Sequence, residues 1–288
     1  MQIGIHLPNS GPLADQVDLV DLAVRAEGLG FPAVWVHDHL FTPAVIKSTY
    51  PRGSGVYENQ TEWSYHDALT VLSVVAGATE HISLGTRVLI PVYRNPVVLA
   101  KQLSTLDHLS GGRLVLGVGA GWMAEEFEVV GVPLSERYAR LTEHVALMRR
   151  AWEHGTSEFD GAFYHHAAAG FYPRPRNRIP VLVGGFGERT LRRVAKWGDG
   201  WAAVADPKAQ DELGDLRERL QLLRQLTESE GRDPGSLVIL AAAPVTAPLS
   251  HFEGLQDLGV TSVDVVLTQR EHLDLTEAVA IRDALNRA

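Results

Sequence analysis

Short runs of β-branched and other apolar residues alternate with longer amphipathic segments along the whole chain. Ile3–Leu7 is typical of a strand, and apolar residues recur at helical spacing in Asp15–Leu29. The same pattern predicts seven further strands, at Ala33–Val36, Ile82–Ile90, Arg113–Val118, Pro180–Val183, Gly200–Val204, Leu237–Ala243 and Val263–Leu267. It predicts further helices at Asp67–Thr79, Ser135–Trp152, Glu188–Trp197, Pro207–Glu230, Ser250–Leu258 and Glu271–Asn286, and one that begins with Asn95 as N-cap and stops at Gly111-Gly112.

Eight strands that alternate with helices predict one α/β domain over residues 1–288. Crossover helices force parallel pairing, and eight such units close into a (β/α)8 TIM barrel; an open doubly wound sheet is the alternative. One insertion is expected after the second strand, at Leu40–His66, and another before the fifth, at Gly155–Arg178. Long connections without helical periodicity are usually lids or binding loops, or else disordered.

The first insertion is rich in aromatic residues, which are costly to leave in solvent. We expect it to be a mobile lid over the site; the alternative is that its aromatic side chains pack permanently on helices or on a second subunit. The residues concerned are Phe41, Tyr50, Tyr57, Trp63 and Tyr65.

The composition is acidic, with 26 Lys and Arg against 35 Asp and Glu and a formal net charge of −9. Without a basic cluster, nucleic acid and anionic membranes are not expected partners. The chain has no cysteine, which excludes disulfides, a cysteine nucleophile and thiolate metal ligands. It shows no apolar run of about 18 residues and no signal peptide, so we expect a cytoplasmic location.

In a barrel of this kind the functional residues lie where the strands end. The second strand ends in His37-Asp38-His39, and alternate residues of a strand share a face, so the two histidines could bind one metal. Further ligands are missing at the other strand ends, so no metal is expected. Asp38 and His39 are then candidates for hydrogen bonding and proton transfer, and the alternative is a helix cap by Asp38 beside a passive His39.

Two glycine-rich runs follow other strands. Gly117–Trp122 resembles an incomplete dinucleotide fingerprint, which is a weak signal. Gly184-Gly185-Phe186-Gly187 precedes a helix, where backbone N–H groups can bind a phosphate. Either run could be a tight turn, but two on one face favour a phosphorylated cofactor.

Several motifs resemble those of the luciferase-like flavin and deazaflavin oxidoreductases, over the chain from the first strand to about Ala205. The motifs lie at Trp35–Leu40, Leu84–Pro91, Arg94–Pro96, Leu106–Arg113, Leu116–Trp122, Glu125–Phe127, Val183–Gly185 and Gly198–Trp201. The Asp-His pair is most similar to the branch that uses coenzyme F420, a deazaflavin.

This resemblance implies roles for individual residues. Asp38 would contact the deazaflavin ring, and His39 would be the catalytic proton donor or acceptor. The bond between Arg87 and Val88 would be a cis peptide that supports the ring from behind. Gly119 and Trp122 would also contact the cofactor, and its phosphate would be bound by Gly184, Gly185 and Gly187.

The chain departs from the sugar-phosphate dehydrogenases of this branch, which have a glutamate where it has Trp122. A catalytic carboxylate is absent there unless Glu125 or Glu126 reaches the site, which favours a less polar substrate. We therefore expect an F420-dependent oxidoreductase that transfers a hydride to or from a small organic molecule, and that forms a homodimer. The alternatives are an FMN-dependent monooxygenase of the same fold and a non-catalytic flavin-binding relative.

Overall fold

The chain folds into a closed barrel of eight parallel strands surrounded by helices in the computed structural model, which describes residues 1–49, 61–204 and 211–287. The barrel strands are β1 (Gln2–His6), β2 (Ala33–Val36), β3 (Ser83–Leu89), β4 (Leu114–Val118), β7 (Val181–Gly185), β8 (Gly200–Ala203), β9 (Val238–Pro244) and β10 (Ser262–Val266). The two other strands, β5 (Thr156–Asp160) and β6 (His165–Gly170), form a separate antiparallel hairpin.

The helices occupy the connections between strands, except the last helix, which follows β10. They are α1 (Leu19–Gly28), α2 (Ala68–Ala78), α3 (Pro96–Leu109), α4 (Ala124–Val129), α5 (Arg137–His154), α6 (Glu188–Trp197), α7 (Glu212–Ser229), α8 (Leu249–Asp257) and α9 (Thr276–Leu285). None of the helices within the described ranges is both long enough and apolar enough to cross a bilayer.

The barrel closes where the first and last strands pair. Ile3 lies opposite Val263, and the order around the barrel is β1-β10-β9-β8-β7-β4-β3-β2. This closed order confirms the TIM barrel over the open sheet.

Alternation along the strands separates two apolar cores. Val34 and Val36 of β2 pack outward under the helices, whereas Ala33 and Trp35 face the barrel interior. Inside, Trp35 packs with Leu182, Ala202 and Leu240. Gly85 of the neighbouring strand β3 makes room for the indole of Trp35, because a Cβ on Gly85 would lie 2.1 Å from the ring.

Several predicted boundaries and connections were wrong in detail. The first helix starts at Leu19, where Asp18 caps it, rather than at Asp15. The second insertion contains the β5–β6 hairpin, which was not predicted. The last predicted helix is broken at Leu275, whose φ of 66° interrupts helical geometry between a 3-10 turn and α9. The Asn95 cap is confirmed, since its side chain accepts from the N–H groups of Val97 and Val98.

Candidate active site

A cavity of about 300 Å³ opens at the C-terminal ends of the barrel strands. This is the end at which TIM barrels carry their active sites, and the volume is that of a small-molecule site. Its described lining residues are Ser10, His37, Asp38, His39, Tyr65, Arg87, Val88, Ile90, Trp122, Gly184, Gly185, Phe186, Ala202 and Val204.

Val88 forms one wall of this cavity. The Arg87–Val88 peptide bond is cis, as the family resemblance implies, and the register of β3 against β4 shifts between Thr86 and Leu89. Two glycines make room for the valine: a Cβ on Gly119 would lie 2.5 Å from its Cγ2, and one on Gly184 would lie 2.8 Å from its Cγ1. Any side chain at either glycine would displace Val88 from the wall.

His39 is held at the cavity by a buried carboxylate. Its Nδ1 lies 2.7 Å from Oε2 of Glu126, which is fully buried, and the imidazole is 13% exposed. Oε1 of Glu126 accepts the N–H of Leu40, and Oε2 also accepts the hydroxyl of Tyr93. Burial, and then the charge of Glu126, raises the pKa of Tyr93. The phenol therefore keeps its proton and donates a hydrogen bond to Glu126. Glu126 therefore does reach the site that Trp122 leaves without a carboxylate.

Asp38 is held by an arginine from the neighbouring connection. Both of its oxygens accept from the guanidinium of Arg94, at 2.7 and 2.8 Å, and Oδ2 also accepts the N–H of Ile90. Arg94 also donates a hydrogen bond to Asp67, which is the N-cap residue of α2. Burial alone would lower the pKa of Arg94, but the two carboxylates raise it above its usual value. This bidentate pair fixes the turn that carries His39.

His37 lies on the floor of the cavity, on the same side of β2 as Trp35. Its Nδ1 lies 3.2 Å from the carbonyl oxygen of Arg87. Burial first, and then the charge of His6, lowers the pKa of His37 well below its usual value. The floor of the site is therefore a neutral imidazole.

Seven of the nine site residues predicted from the sequence line the cavity. They are His39, Asp38, Arg87, Val88, Trp122, Gly184 and Gly185. Gly119 does not line it, because it lies behind Val88, and Gly187 instead provides the N-cap of α6. Residues 205–210, which follow the predicted strand Gly200–Val204 and include the start of the helix predicted at Pro207–Glu230, lie outside the described residues.

The aromatic insertion is described only in part, and Tyr50 and Tyr57 lie outside the described residues. Its first segment is attached to α4, since Glu125 accepts the N–H of Lys47 and both the N–H and the hydroxyl of Ser48. Although burial opposes it, these hydrogen bonds lower the pKa of Glu125 to about 2. Tyr65 lines the cavity, with its ring centroid 5.3 Å from that of His39.

Sequence reasoning missed the residues that hold the side chains of His39 and Asp38 in place. Glu126 was recognised only as a conditional candidate, and Arg94 and Tyr93 were given no role. Arg94 lies in one of the motifs that carry the family resemblance, which was a usable signal. The described residues contain no cluster of three or more His, Asp or Glu side chains that could hold a metal ion.

The residues present fit a flat ring system. Val88, Ile90, Trp122 and Phe186 supply apolar surface, and Gly184 and Gly185 leave the backbone of β7 open to a ligand. The polar side chains of His39 and of His37, on the cavity floor, line the same space, as expected of a cofactor site.

Known proteins resemble the chain in sequence and in fold. The uncharacterized protein Rv0953c of Mycobacterium tuberculosis is 33% identical over 242 residues, which cover 83% of each chain. The F420-dependent glucose-6-phosphate dehydrogenase of Intrasporangium calvum is 32% identical over 262 residues, covering 83% of this chain and 74% of that one. An F420-dependent secondary alcohol dehydrogenase in complex with an F420-acetone adduct has a TM-score of 0.75 at 18% identity, over 96% of this chain and 97% of that one. The model of the luciferase-like monooxygenase family matches residues 1–250, and the chain belongs to that family.

Proposed function

We propose that the protein is an F420-dependent oxidoreductase that acts on a small organic substrate. The observation that carries the proposal is His39, paired with buried Glu126, which lines the same cavity as Val88 between its two glycines. The relatives that use F420 support the choice of cofactor.

In this proposal the deazaflavin, when bound, supplies the hydride chemistry, and the chain orients the reactants and moves the proton. Gly184, Gly185 and Gly187 would bind the phosphate of the cofactor, and Val88 would support its ring. Trp122 and Ile90 would exclude water from the reacting face. Asp38 remains a proposed ring contact, although its carboxylate oxygens are already bonded to Arg94 and the backbone.

The proton-transfer role falls to His39. Because a carboxylate accepts the hydrogen bond at Nδ1, that nitrogen carries the proton in the neutral imidazole. Nε2 is then the nitrogen that takes up or releases a proton during turnover. Glu126 fixes the tautomer and orientation of the ring, and it stabilises the imidazolium form.

We propose that the substrate is less polar than a sugar phosphate. Among the described lining residues Arg87 is the only Lys or Arg, and its guanidinium donates to the carbonyl of Ala203. Trp122 adds apolar surface at the position where the sugar-phosphate enzymes have glutamate. We further propose a cytoplasmic location and a homodimer.

The test is a titration of the purified protein with F420 and, separately, with FMN, followed by tryptophan fluorescence. We expect F420 to bind at least tenfold more tightly, a difference of about 1.4 kcal/mol. Equal or tighter binding of FMN would instead favour the second candidate, an FMN-dependent monooxygenase, which the description of the matching family supports.

A further inference from the structure

The interior of the barrel changes from apolar to polar just below the cavity. Trp35 and Leu240 belong to the apolar layer. His6 of β1 and Asp264 of β10 also point inward, since the residues on either side of each belong to the outer core, and His6 lies opposite Trp35 in the register. A buried polar layer is costly unless its groups are bonded, so its partners are informative.

His6 and Asp264 form a buried pair inside the barrel. Nδ1 of His6 lies 2.9 Å from Oδ2 of Asp264, and the two side chains are 3% and 0% exposed. The ring of His37 lies on the ring of His6, with centroids 3.9 Å apart. The pair therefore supports His37 from beneath, on the side away from the cavity.

The hydrogen bonds of His37 fix its tautomer. The carbonyl oxygen of Arg87 can only accept, so Nδ1 of His37 carries the hydrogen. The lowered pKa keeps the ring neutral, which leaves Nε2 as an unprotonated acceptor. Nε2 has no hydrogen-bond partner among the described residues, and the side chain lines the cavity.

The backbone of His37 is fixed as well. Nδ2 of Asn9 donates to the carbonyl of His37 at 3.0 Å, and the N–H of His37 donates to Oδ1 of Asn9 at 2.9 Å. Asn9 is fully buried and also donates to the carbonyl of His66. An acceptor held on a rigid backbone, with its ring packed from below, is preorganised for one direction of hydrogen bonding.

We propose that His37 is a ligand-binding residue of the site, whose Nε2 accepts a hydrogen bond from an N–H or O–H donor of the bound molecule. The inference rests on the proposed function for the identity of that molecule. Two sources have the required chemistry: a ring N–H of the deazaflavin, and the hydroxyl of an alcohol substrate. His37 would then select for a donor at the cavity floor, separately from the proton transfer at His39.

The first experiment compares His37→Phe, which keeps a flat ring on His6, with His37→Gln, which can place an acceptor near the position of Nε2. F420 affinity is measured by fluorescence titration, and the F420-loaded protein is then titrated with cyclohexanol and with cyclohexanone. If the cofactor is the donor, His37→Phe weakens F420 binding by about tenfold and His37→Gln restores it. If the substrate is the donor, F420 binding is unchanged and only the alcohol binds more weakly to His37→Phe.

An unchanged F420 affinity together with unchanged discrimination between alcohol and ketone would overturn the proposal. Equal losses in the Gln and Phe variants, with both variants folded by circular dichroism, would also overturn it, because they indicate packing rather than an acceptor.

The second experiment needs no cofactor. Nitrogen NMR of histidine-labelled protein, with His37 assigned by its loss in His37→Gln, reports which ring nitrogen is protonated. We expect an unprotonated Nε2 at pH 7, and a protonated Nε2 would overturn the inference even if F420 binds. Failure of the wild-type protein to bind F420 would instead contradict the proposed function and leave this result standing.

Discussion

At the scale of single residues, catalysis depends on the proton at His39. Its Nδ1 is committed to Glu126, and the ring lies at the cavity wall close to Tyr65 and Trp122. A side chain that transfers a proton contributes much to turnover and little to cofactor binding, because the cofactor is held mainly by other groups.

We therefore expect His39→Ala to lower kcat by roughly 10²–10⁴-fold while the Kd for F420 changes far less. Turnover is followed by the change in F420 absorbance with the first substrate found in a panel of alcohols. His81→Ala serves as the control, because that histidine is 86% exposed and pairs with Glu80, which is 85% exposed. Near-normal turnover of His39→Ala would reduce His39 to a packing residue.

Glu126→Gln tests the support of that histidine. The amide keeps the size of the side chain but removes the charge that stabilises the imidazolium form. We expect kcat to fall by about tenfold or more with little change in KM. Tyr93→Phe, which removes one donor to the same carboxylate, should have a smaller effect. Equal effects of both variants would indicate a general disturbance of packing.

At the scale of elements, the segment Leu109–Arg113, which ends one of the motifs that carry the family resemblance, has a structural function. Gly111 and Gly112 have φ values of 81° and 88°, which let the chain turn directly from α3 into β4. Arg113 then donates to the carbonyl groups of Ser110, Ile82 and Ala76, and to both the carbonyl and the hydroxyl of Thr79. These contacts satisfy the C-terminal end of α2 at the end of the barrel away from the cavity.

Replacing this arginine should affect stability and not binding. We expect Arg113→Met to lower the free energy of unfolding by about 2–4 kcal/mol, because several helix-end carbonyl groups lose their donors. The Kd for F420 should stay unchanged. Arg192→Met, at an arginine 62% exposed in an i,i+4 pair, should cost less than about 0.5 kcal/mol. Chemical denaturation of the three proteins measures the difference, and loss of cofactor binding in folded Arg113→Met would contradict this assignment.

The contact between α5 and the start of α3 gives stability a pH dependence. Nε2 of His144 lies 3.0 Å from the carbonyl oxygen of Arg94, and the side chain is fully buried. Burial lowers the pKa of His144 from 6.5 to about 4. Between these two values the unfolded chain binds a proton that the folded chain does not, so stability is lost as the pH falls.

The expected loss from pH 6.5 to pH 4 is about 3 kcal/mol for this histidine. His144→Gln can still donate to the Arg94 carbonyl but does not titrate, so its unfolding free energy should fall by correspondingly less over the same range. Denaturation of both proteins in urea at several pH values measures the two slopes. Parallel slopes would show that His144 does not titrate as described.

The sequence was sufficient for elements whose periodicity or capping is local. The barrel strands followed from β-branched runs, and the start of α3 from Asn95 before Pro96. The sequence was insufficient where a site residue is held by a partner far away along the chain. Glu126 reaches His39 across 87 positions, and Arg94 reaches Asp38 across 56, so no spacing rule indicates either pair. Gly119 was assigned to the cofactor because only the fold shows that Val88 fills the space beside it.

At the scale of the whole molecule, α2 is unusual for a helix on the outside of a barrel. Ala68–Ala78 contains no charged residue, in a chain whose net charge is −9. A helix with so few polar residues is normally buried, yet Val74 is 55% exposed. On the neighbouring α3, Val98 is 53% and Leu109 78% exposed, and a groove runs between the two helices. The groove also has polar side chains, but exposed apolar residues of this size on two adjacent helices are a feature of protein–protein interfaces.

We therefore expect a homodimer in solution whose interface includes α2 and the start of α3. Light scattering coupled to size exclusion should give twice the 31.4 kDa of one chain. Val74→Glu combined with Val98→Glu should shift the protein to the monomer, because burying two carboxylates in an apolar contact costs several kcal/mol. Val24→Glu, at a valine on α1 that is 41% exposed, is the matched control and should leave the dimer intact.

A monomeric wild-type protein, or a double variant that remains dimeric, would show that the expected interface is wrong. Because the cavity lies at the strand ends and α2 lies outside the barrel, the monomeric variant should still bind F420, and this measurement separates loss of the interface from loss of the fold.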